Sequence, residues 1–204
     1  MAIILVRHGE TALNAARVMQ PADTPLSARG LAQAEAVGLR LGEHRISGIV
    51  SSDLARAWQT AAAIARHSGV PVEPSALLHE RNFGALRGRA YDTLGFDPLA
   101  MSDAPPGGES AQTFAERTDG AFAAMLTRHR ADAGDLVVVT HGLLVRVLLA
   151  RHLNVTAETL AGLHLGNTSV SIFDAVPPHA VVLLNCTRHL DGDAADQARS
   201  LSGG

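Results

Sequence analysis

The chain has no lysine, and all 17 of its basic residues are arginine. Codon bias is the ordinary explanation, although the planar guanidinium fork also suits phosphate recognition. Aromatic residues are scarce at 3%, so a core must be built mainly from Ala, Val and Leu. One cysteine, Cys186, excludes an internal disulfide and fits a reducing compartment. No apolar run approaches the roughly 20 residues that span a bilayer. The apolar opening Ala2-Ile3-Ile4-Leu5-Val6 is too short for a signal-peptide core and runs straight into Arg7-His8. A formal net charge of −3 offers no general attraction to nucleic acid or to an acidic membrane. These absences lead to the expectation of a cytoplasmic protein with no nucleic-acid or membrane partner.

Hydrophobic residues at 47% against 18% charged describe a globular chain, and 204 residues suit one domain over 1–204. Short apolar runs alternate with helical stretches, the pattern of an α/β fold with a largely parallel sheet. Residues 3–6, 48–51, 136–139, 170–173 and 181–184 read as strands, and residues 70–80 look extended. Ser27 can cap a helix that turns Leu31, Ala34, Val37 and Leu41 to one face. Asp53 can cap the next, with Leu54, Ala57, Trp58, Ala61 and Ala65 inward. Ser110 opens a long helix bearing Phe114, Ala121, Phe122 and Met125, and residues 143–153 form another. Between 83 and 108 the periodicity fails among prolines and glycines, as in a lid or binding loop. The tail after Leu190 is small and polar and is expected to fray.

Arg7-His8-Gly9-Glu10-Thr11 directly follows the first strand. A specified tetrapeptide such as Arg-His-Gly-Glu arises by chance in a chain of this size on the order of once in a thousand. In open α/β sheets ligands bind beyond the carboxyl ends of the strands, which is where His8 falls. Arg56, Glu80 and His141 fall at the same level, each just after a strand or extended stretch. One strand-end histidine is ordinarily a satisfied polar residue; two histidines, two arginines and a glutamate on one rim form a pattern. Their types fit phosphoryl transfer, which needs positive charge on the equatorial oxygens and little else. Arg7 and Arg56 offer permanently charged, bidentate donors. His141 adds a donor, and a helix starting at Gly142 can aim its N–H groups at the same anion. His8 can attack through a neutral ring nitrogen, and Glu80 can protonate the departing alcohol. His79-Glu80-Arg81-Asn82-Phe83 lacks the second histidine of a zinc-protease helix, so no metal site and no cofactor are expected. The remaining histidines have no ligand-like spacing and read as surface or capping residues.

The chain resembles the histidine phosphatase, or phosphoglycerate mutase-like, superfamily over nearly its whole length. The resemblance rests on Arg7-His8-Gly9-Glu10-Thr11 with Asn14, on Thr24-Pro25-Leu26-Ser27 through Gly30, and on Ser51-Ser52-Asp53-Leu54-Ala55-Arg56-Ala57. It continues in Glu80-Arg81-Asn82-Phe83-Gly84, Pro106-Gly107-Gly108-Glu109-Ser110, Thr140-His141-Gly142 with Arg146, and Gly166-Asn167-Thr168-Ser169-Val170. It implies a three-layer sandwich with helices on both faces of a mostly parallel sheet. It also implies His8 as the phosphohistidine-forming nucleophile, Glu80 as the proton donor, and Arg7, Arg56 and His141 as the phosphate pocket. Asn14 and Gln20 are similar to positions that touch the phosphoryl group or nearby oxygens. Pro21 stands where the family usually has Gly, and a proline there removes an N–H and stiffens the loop. Members are often dimeric, which leaves a homodimer open.

Three functions are compatible with these residues. The main reading is a metal-independent phosphomonoesterase acting on a small phosphorylated metabolite. The alternative is a phosphoglycerate mutase. The third is a binding protein on a silent scaffold, which is disfavoured because His8, Glu80 and the arginines are all present. Family mutases resemble one another in a basic insert after the glutamate and an Asn after the second His-Gly; this chain has Leu143 and no lysine. Within the insert, Phe83 and Arg87 are candidate substrate contacts, and sugar, nucleotide, ribazole and phosphoglycerate esters all remain open.

Overall fold

A computed structural model describes residues 2–129 and 134–190; the expected fraying of the tail lies outside them. Six strands form one sheet: β1 (Ala2–Arg7), β2 (Ile46–Ser51), β3 (Val72–Pro74), β4 (Asp135–Thr140), β5 (Val170–Asp174) and β6 (Val181–Cys186). Their order is β3-β2-β4-β1-β5-β6. β1 to β4 run parallel, β5 pairs antiparallel with β1, and β6 pairs antiparallel with β5, so the sheet is mixed with a parallel majority.

Side chains alternate across a strand, and here both faces are covered. Ile3, Leu5, Leu136 and Val138 point to a cluster with Phe114, Phe122 and Met125 of α4 (Ala111–Arg128) and Leu144 and Leu148 of α5 (Gly142–Arg151). Ile4, Val6, Val137 and Val139 point the other way. They meet Val37 and Leu41 of α2 (Ala28–Gly42), and Ala57, Ala61 and Ile64 of α3 (Ala55–Ser68). That is why β1 and β4 read as unbroken apolar runs. Each aliphatic side chain buried this way contributes about 1.5–3 kcal/mol.

Ser27 and Ser110 cap α2 and α4 through their hydroxyls, accepting from Gly30 N and Thr113 N. Two helix faces differ from the sequence reading. Leu31 is 51% exposed and Trp58 37% exposed. The inward stripe of α2 runs through Gly30, Ala34, Val37 and Leu41, and small residues on α3 meet it. That close approach leaves no room for an indole. Asp53 does not cap α3, whose N-cap is Leu54 with no side-chain bond. Of the stretch 70–80, only Val72–Pro74 is strand, and a 3-10 turn follows at Ala76–Leu78. Among the described residues two short helices complete the set, α1 (Ala12–Ala15) and α6 (Ala157–Ala161). Among the described residues no helix is long and apolar enough to cross a membrane.

Candidate active site

β1 and β4 lie side by side, and the chain leaves their carboxyl ends toward opposite edges of the sheet. Such a switch point opens a crevice. His8 and His141 stand at it, both fully buried, with ring centroids 5.1 Å apart. His8 N–H donates to Thr140 O at 2.9 Å, which extends the strand pairing past the end of β1. Its carbonyl accepts from Thr168 N and Asn167 Nδ2, both at 3.2 Å. The ring Nδ1 lies 2.7 Å from Gly9 O. A carbonyl oxygen can only accept, so Nδ1 carries the proton and Nε2 keeps its lone pair.

The turn after His8 is fastened to the start of α2. Ser27 Oγ donates to Glu10 at 2.8 Å and Arg29 pairs with the same carboxylate at 3.0 Å. A Cβ added at Gly30 would stand 2.0 Å from Glu10 O, so only glycine permits this approach. Thr11 caps α1 reciprocally with Asn14: its Oγ1 accepts from Asn14 N, and Asn14 Oδ1 accepts from Thr11 N. Thr11 Oγ1 also donates to Gln20 Oε1 at 2.8 Å. Both amides are thereby turned with their oxygens engaged and their nitrogens available.

Arg7 and Arg56 are buried beside His8. Arg7 donates to Leu165 O, and Arg56 Nη1 donates to Pro21 O at 3.2 Å. Burial lowers both pKa values to about 10, against the opposing pull of Glu80, so both remain charged near neutrality. Burial, together with Arg56 and Arg7, holds His8 well below its ordinary value of 6.5. His141 is lowered for the same reasons, and its Nε2 meets Ser52 Oγ at 2.8 Å. Glu80 is shifted the other way. Burial raises its carboxyl above 4.5 despite backbone donors at Leu143 N, 3.0 Å, and Arg81 N, 3.1 Å. Leu143 N–H at the start of α5 therefore faces Glu80, whereas the sequence pointed this helix end toward the phosphate.

Among the described residues, His8 Nε2, Asn14 Nδ2, Gln20 Nε2, Arg56 Nε and His141 Nδ1 are buried without hydrogen-bond partners. A buried polar atom left unpaired costs about 1–3 kcal/mol, so a cluster of them marks a place where something else binds. A small cavity of about 10 Å³ adjoins them, lined by Gln20, Arg56, Glu80, Phe83 and Arg87 among others. All ten sequence-identified residues thus gather at this end of the sheet. Among the described residues, no three His, Cys, Asp or Glu side chains are grouped to hold a metal ion.

Sequence reasoning missed the supports. Arg117 on α4 grips Glu109 through Nε and Nη2 at 2.8 Å each and donates to the carbonyls of Leu77, His79 and Glu80. Arg81 donates to the carbonyls of Met101, Asp103 and Glu109. Asp53 pairs with His79. The motif around Glu109 and Ser110 was the one signal that hinted at these roles; Arg117 had none. The insert itself folds as 3-10 turns at Gly84–Leu86, Tyr91–Thr93 and Pro98–Ala100 around Met19, Phe83, Leu86 and Tyr91.

A sequence profile of the histidine phosphatase superfamily (branch 1) matches residues 3–187. The probable phosphoglycerate mutase GpmB of Citrobacter koseri is 34% identical over 211 residues, spanning 96% of this chain and 97% of that protein. A mycobacterial glucosyl-3-phosphoglycerate phosphatase, in complex with VO3, has a TM-score of 0.73 at 32% identity, covering 85% of this chain and 90% of its own. Mycobacterial hydrolase 1 reaches a TM-score of 0.78 at 28% identity, over 91% of this chain and 98% of its own.

Proposed function

Because the chain belongs to the histidine phosphatase superfamily, we propose that it is a phosphomonoesterase for a small phosphorylated metabolite. The observation that carries this reading is the set of buried, unpartnered nitrogens on His8, Asn14, Gln20, Arg56 and His141. Four of them can donate and one, His8 Nε2, is a lone-pair nucleophile. That is the complement of a phosphoryl group under attack.

His8 Nε2 forms a bond to phosphorus as the ester P–O bond breaks, and the Glu80 carboxyl proton passes to the departing alkoxide oxygen. Water then attacks the phosphohistidine, giving its proton to the Glu80 carboxylate. The N–P bond breaks, phosphate leaves, and His8 and Glu80 return to their starting states. Arg7, Arg56, Asn14, Gln20 and His141 hold the equatorial oxygens, which places the charge that a metal ion supplies in kinases on the protein itself. On this reading the chain is one catalytic domain, residues 83–108 are its substrate cover, and the lone Cys186 supports a cytoplasmic setting.

The likeness to a probable phosphoglycerate mutase favours a second reading, isomerisation. A mutase must hold a bisphosphorylated intermediate and exclude water while it turns over. In the later insert this chain offers Asp97 and Asp103 and no base, and Arg81 is already held by three carbonyls. Phosphate release from monoesters should therefore outrun conversion of 3-phosphoglycerate to 2-phosphoglycerate with bisphosphoglycerate present. Rapid quenching with radiolabelled substrate should trap an acid-labile, base-stable label that His8→Ala abolishes. Faster isomerisation on every monoester tried would establish the mutase, and a label that survives His8→Ala would remove His8 from the chemistry.

A further inference from the structure

Two residues of β6, Leu184 and Asn185, stand opposite the single residue Ser171 of β5, since Val170 pairs with Cys186 and Ile172 with Leu183. This is a β-bulge, in which an extra residue interrupts the ladder and re-aims a side chain. Asn185 takes it up with a φ of 50°, in the left-handed region that asparagine tolerates better than most residues. Its N–H donates to Ser171 Oγ at 3.0 Å. The side chain is turned onto the segment that precedes β5. There Nδ2 donates to His164 O at 2.7 Å, and Oδ1 accepts from Gly166 N–H at 2.9 Å. A carbonyl can only accept and an N–H can only donate, so the orientation of the amide is fixed.

One amide thus does for this segment what a neighbouring strand would do. Along such a backbone the C=O of one residue and the N–H two residues on face one side, and the C=O between them faces the other. That intervening carbonyl is Leu165 O, and it accepts from Arg7 Nη1. The Leu165 side chain is buried in the core beneath α5, and Arg146 holds the carbonyls of Leu160 and Leu163 just ahead of it. Further along the same segment, Asn167 Nδ2 and Thr168 N–H reach His8 O. A guanidinium is rigid and planar, so a carbonyl fixed against one amino group sets the plane in which the other donors point. Arg7 is fully buried, and its fork has to be aimed by the protein.

We propose that Asn185 is a positioning residue: by holding His164 and Gly166 it aims the Leu165 carbonyl at Arg7, and so sets the angle at which Arg7 meets the phosphoryl group. This rests on the reading that places that group at His8. Asn185→Gly is the informative variant, because glycine keeps the left-handed backbone of the bulge and removes only the amide. Orthovanadate binding, measured by calorimetry, is compared in the wild type, Asn185→Gly, Arg7→Gln and the double variant. Asn185→Gly should bind orthovanadate about tenfold more weakly than the wild type, the scale of one misdirected charge-assisted hydrogen bond. On the Arg7→Gln background the same change should alter affinity by less than about twofold, since the loss acts through Arg7. An equal factor on both backgrounds, an affinity that Asn185→Gly leaves unchanged, or a wild type that does not bind orthovanadate overturns the inference. Should Asn185→Gly fail to fold, Asn185→Asp takes its place in the same comparison, keeping the bond from Gly166 N–H and losing the one to His164 O. Hydrolysis of p-nitrophenyl phosphate, measured alongside, reports separately on the phosphatase reading. Turnover without coupling between Asn185 and Arg7 defeats only the role of Asn185, and coupling without turnover of any monoester defeats only the phosphatase.

Discussion

Glu80 can serve as an acid because burial outweighs two backbone N–H donors and two arginines that favour its charged form. The consequence is a leaving-group dependence. An alkoxide departs poorly without a proton, whereas p-nitrophenolate departs unaided. Glu80→Gln should slow alkyl phosphates by roughly a hundred- to ten-thousandfold and p-nitrophenyl phosphate far less. Equal slowing of both would place the donor elsewhere. The pH profile should carry the same signature. Because His8 is held well below 6.5, the proposed nucleophile stays neutral and the acid limb should lie below that value. Because the Glu80 pKa is raised above 4.5, activity on alkyl esters should fall as pH rises through that shifted value. The rim residues are legible in sequence because local rules fix them: His8 and His141 each follow an apolar strand, and a strand end in such a sheet faces the ligand. Ser52 against His141 spans 89 positions, and no local pattern encodes that contact.

At the scale of elements, α4 does more than cover the sheet. Its Arg117 closes a clamp on residues 77–82, with Glu109 accepting from Asn82 N at 2.8 Å on the other side. Arg117→Met would leave the Glu109 carboxylate with only the Asn82 N–H and three carbonyls without their side-chain donor, a loss of about 2–4 kcal/mol. Denaturant unfolding measures that, and alkyl ester turnover should fall more than p-nitrophenyl phosphate turnover as Glu80 loses its hold. Uniform slowing of both substrates would limit Arg117 to stability. Helix existence is legible from periodicity and from the Ser27 and Ser110 caps, whereas helix faces are not. Leu31 and Trp58 sit on the flanks of their helices because α2 and α3 approach over Ala34, Gly38 and Ala63. The irregular insert is legible only as a break in pattern, since its 3-10 turns follow from packing around Met19, which belongs to another segment.

For the molecule as a whole, the site that does the chemistry also weakens the fold in acid. The unfolded chain takes up protons on His8 and His141 below about 6.5, and the native interior rejects them. Stability contributed by these two groups is therefore complete above 6.5 and declines as pH falls below it. Glu80 acts in the opposite sense, since the native state keeps a proton that the unfolded chain releases above 4.5. The comparison that isolates the histidines is the drop in Tm between pH 7.5 and 5.5. It should be smaller in a His8→Gln, His141→Gln double variant than in the wild type. An identical drop in both would assign the acid sensitivity to other groups.

The hydrogen bond from His8 Nδ1 to Gly9 O also has a consequence for the second half of the reaction. On the proposed mechanism it decides, before any substrate arrives, which of two regioisomers the covalent intermediate adopts, because only Nε2 is open to phosphorus. Since Nδ1 retains its hydrogen, the phosphorylated ring is a cation, and it is expelled as neutral imidazole rather than as an imidazolide anion. A single backbone carbonyl, one residue along from the nucleophile, thus makes the enzyme's own side chain a good nucleofuge.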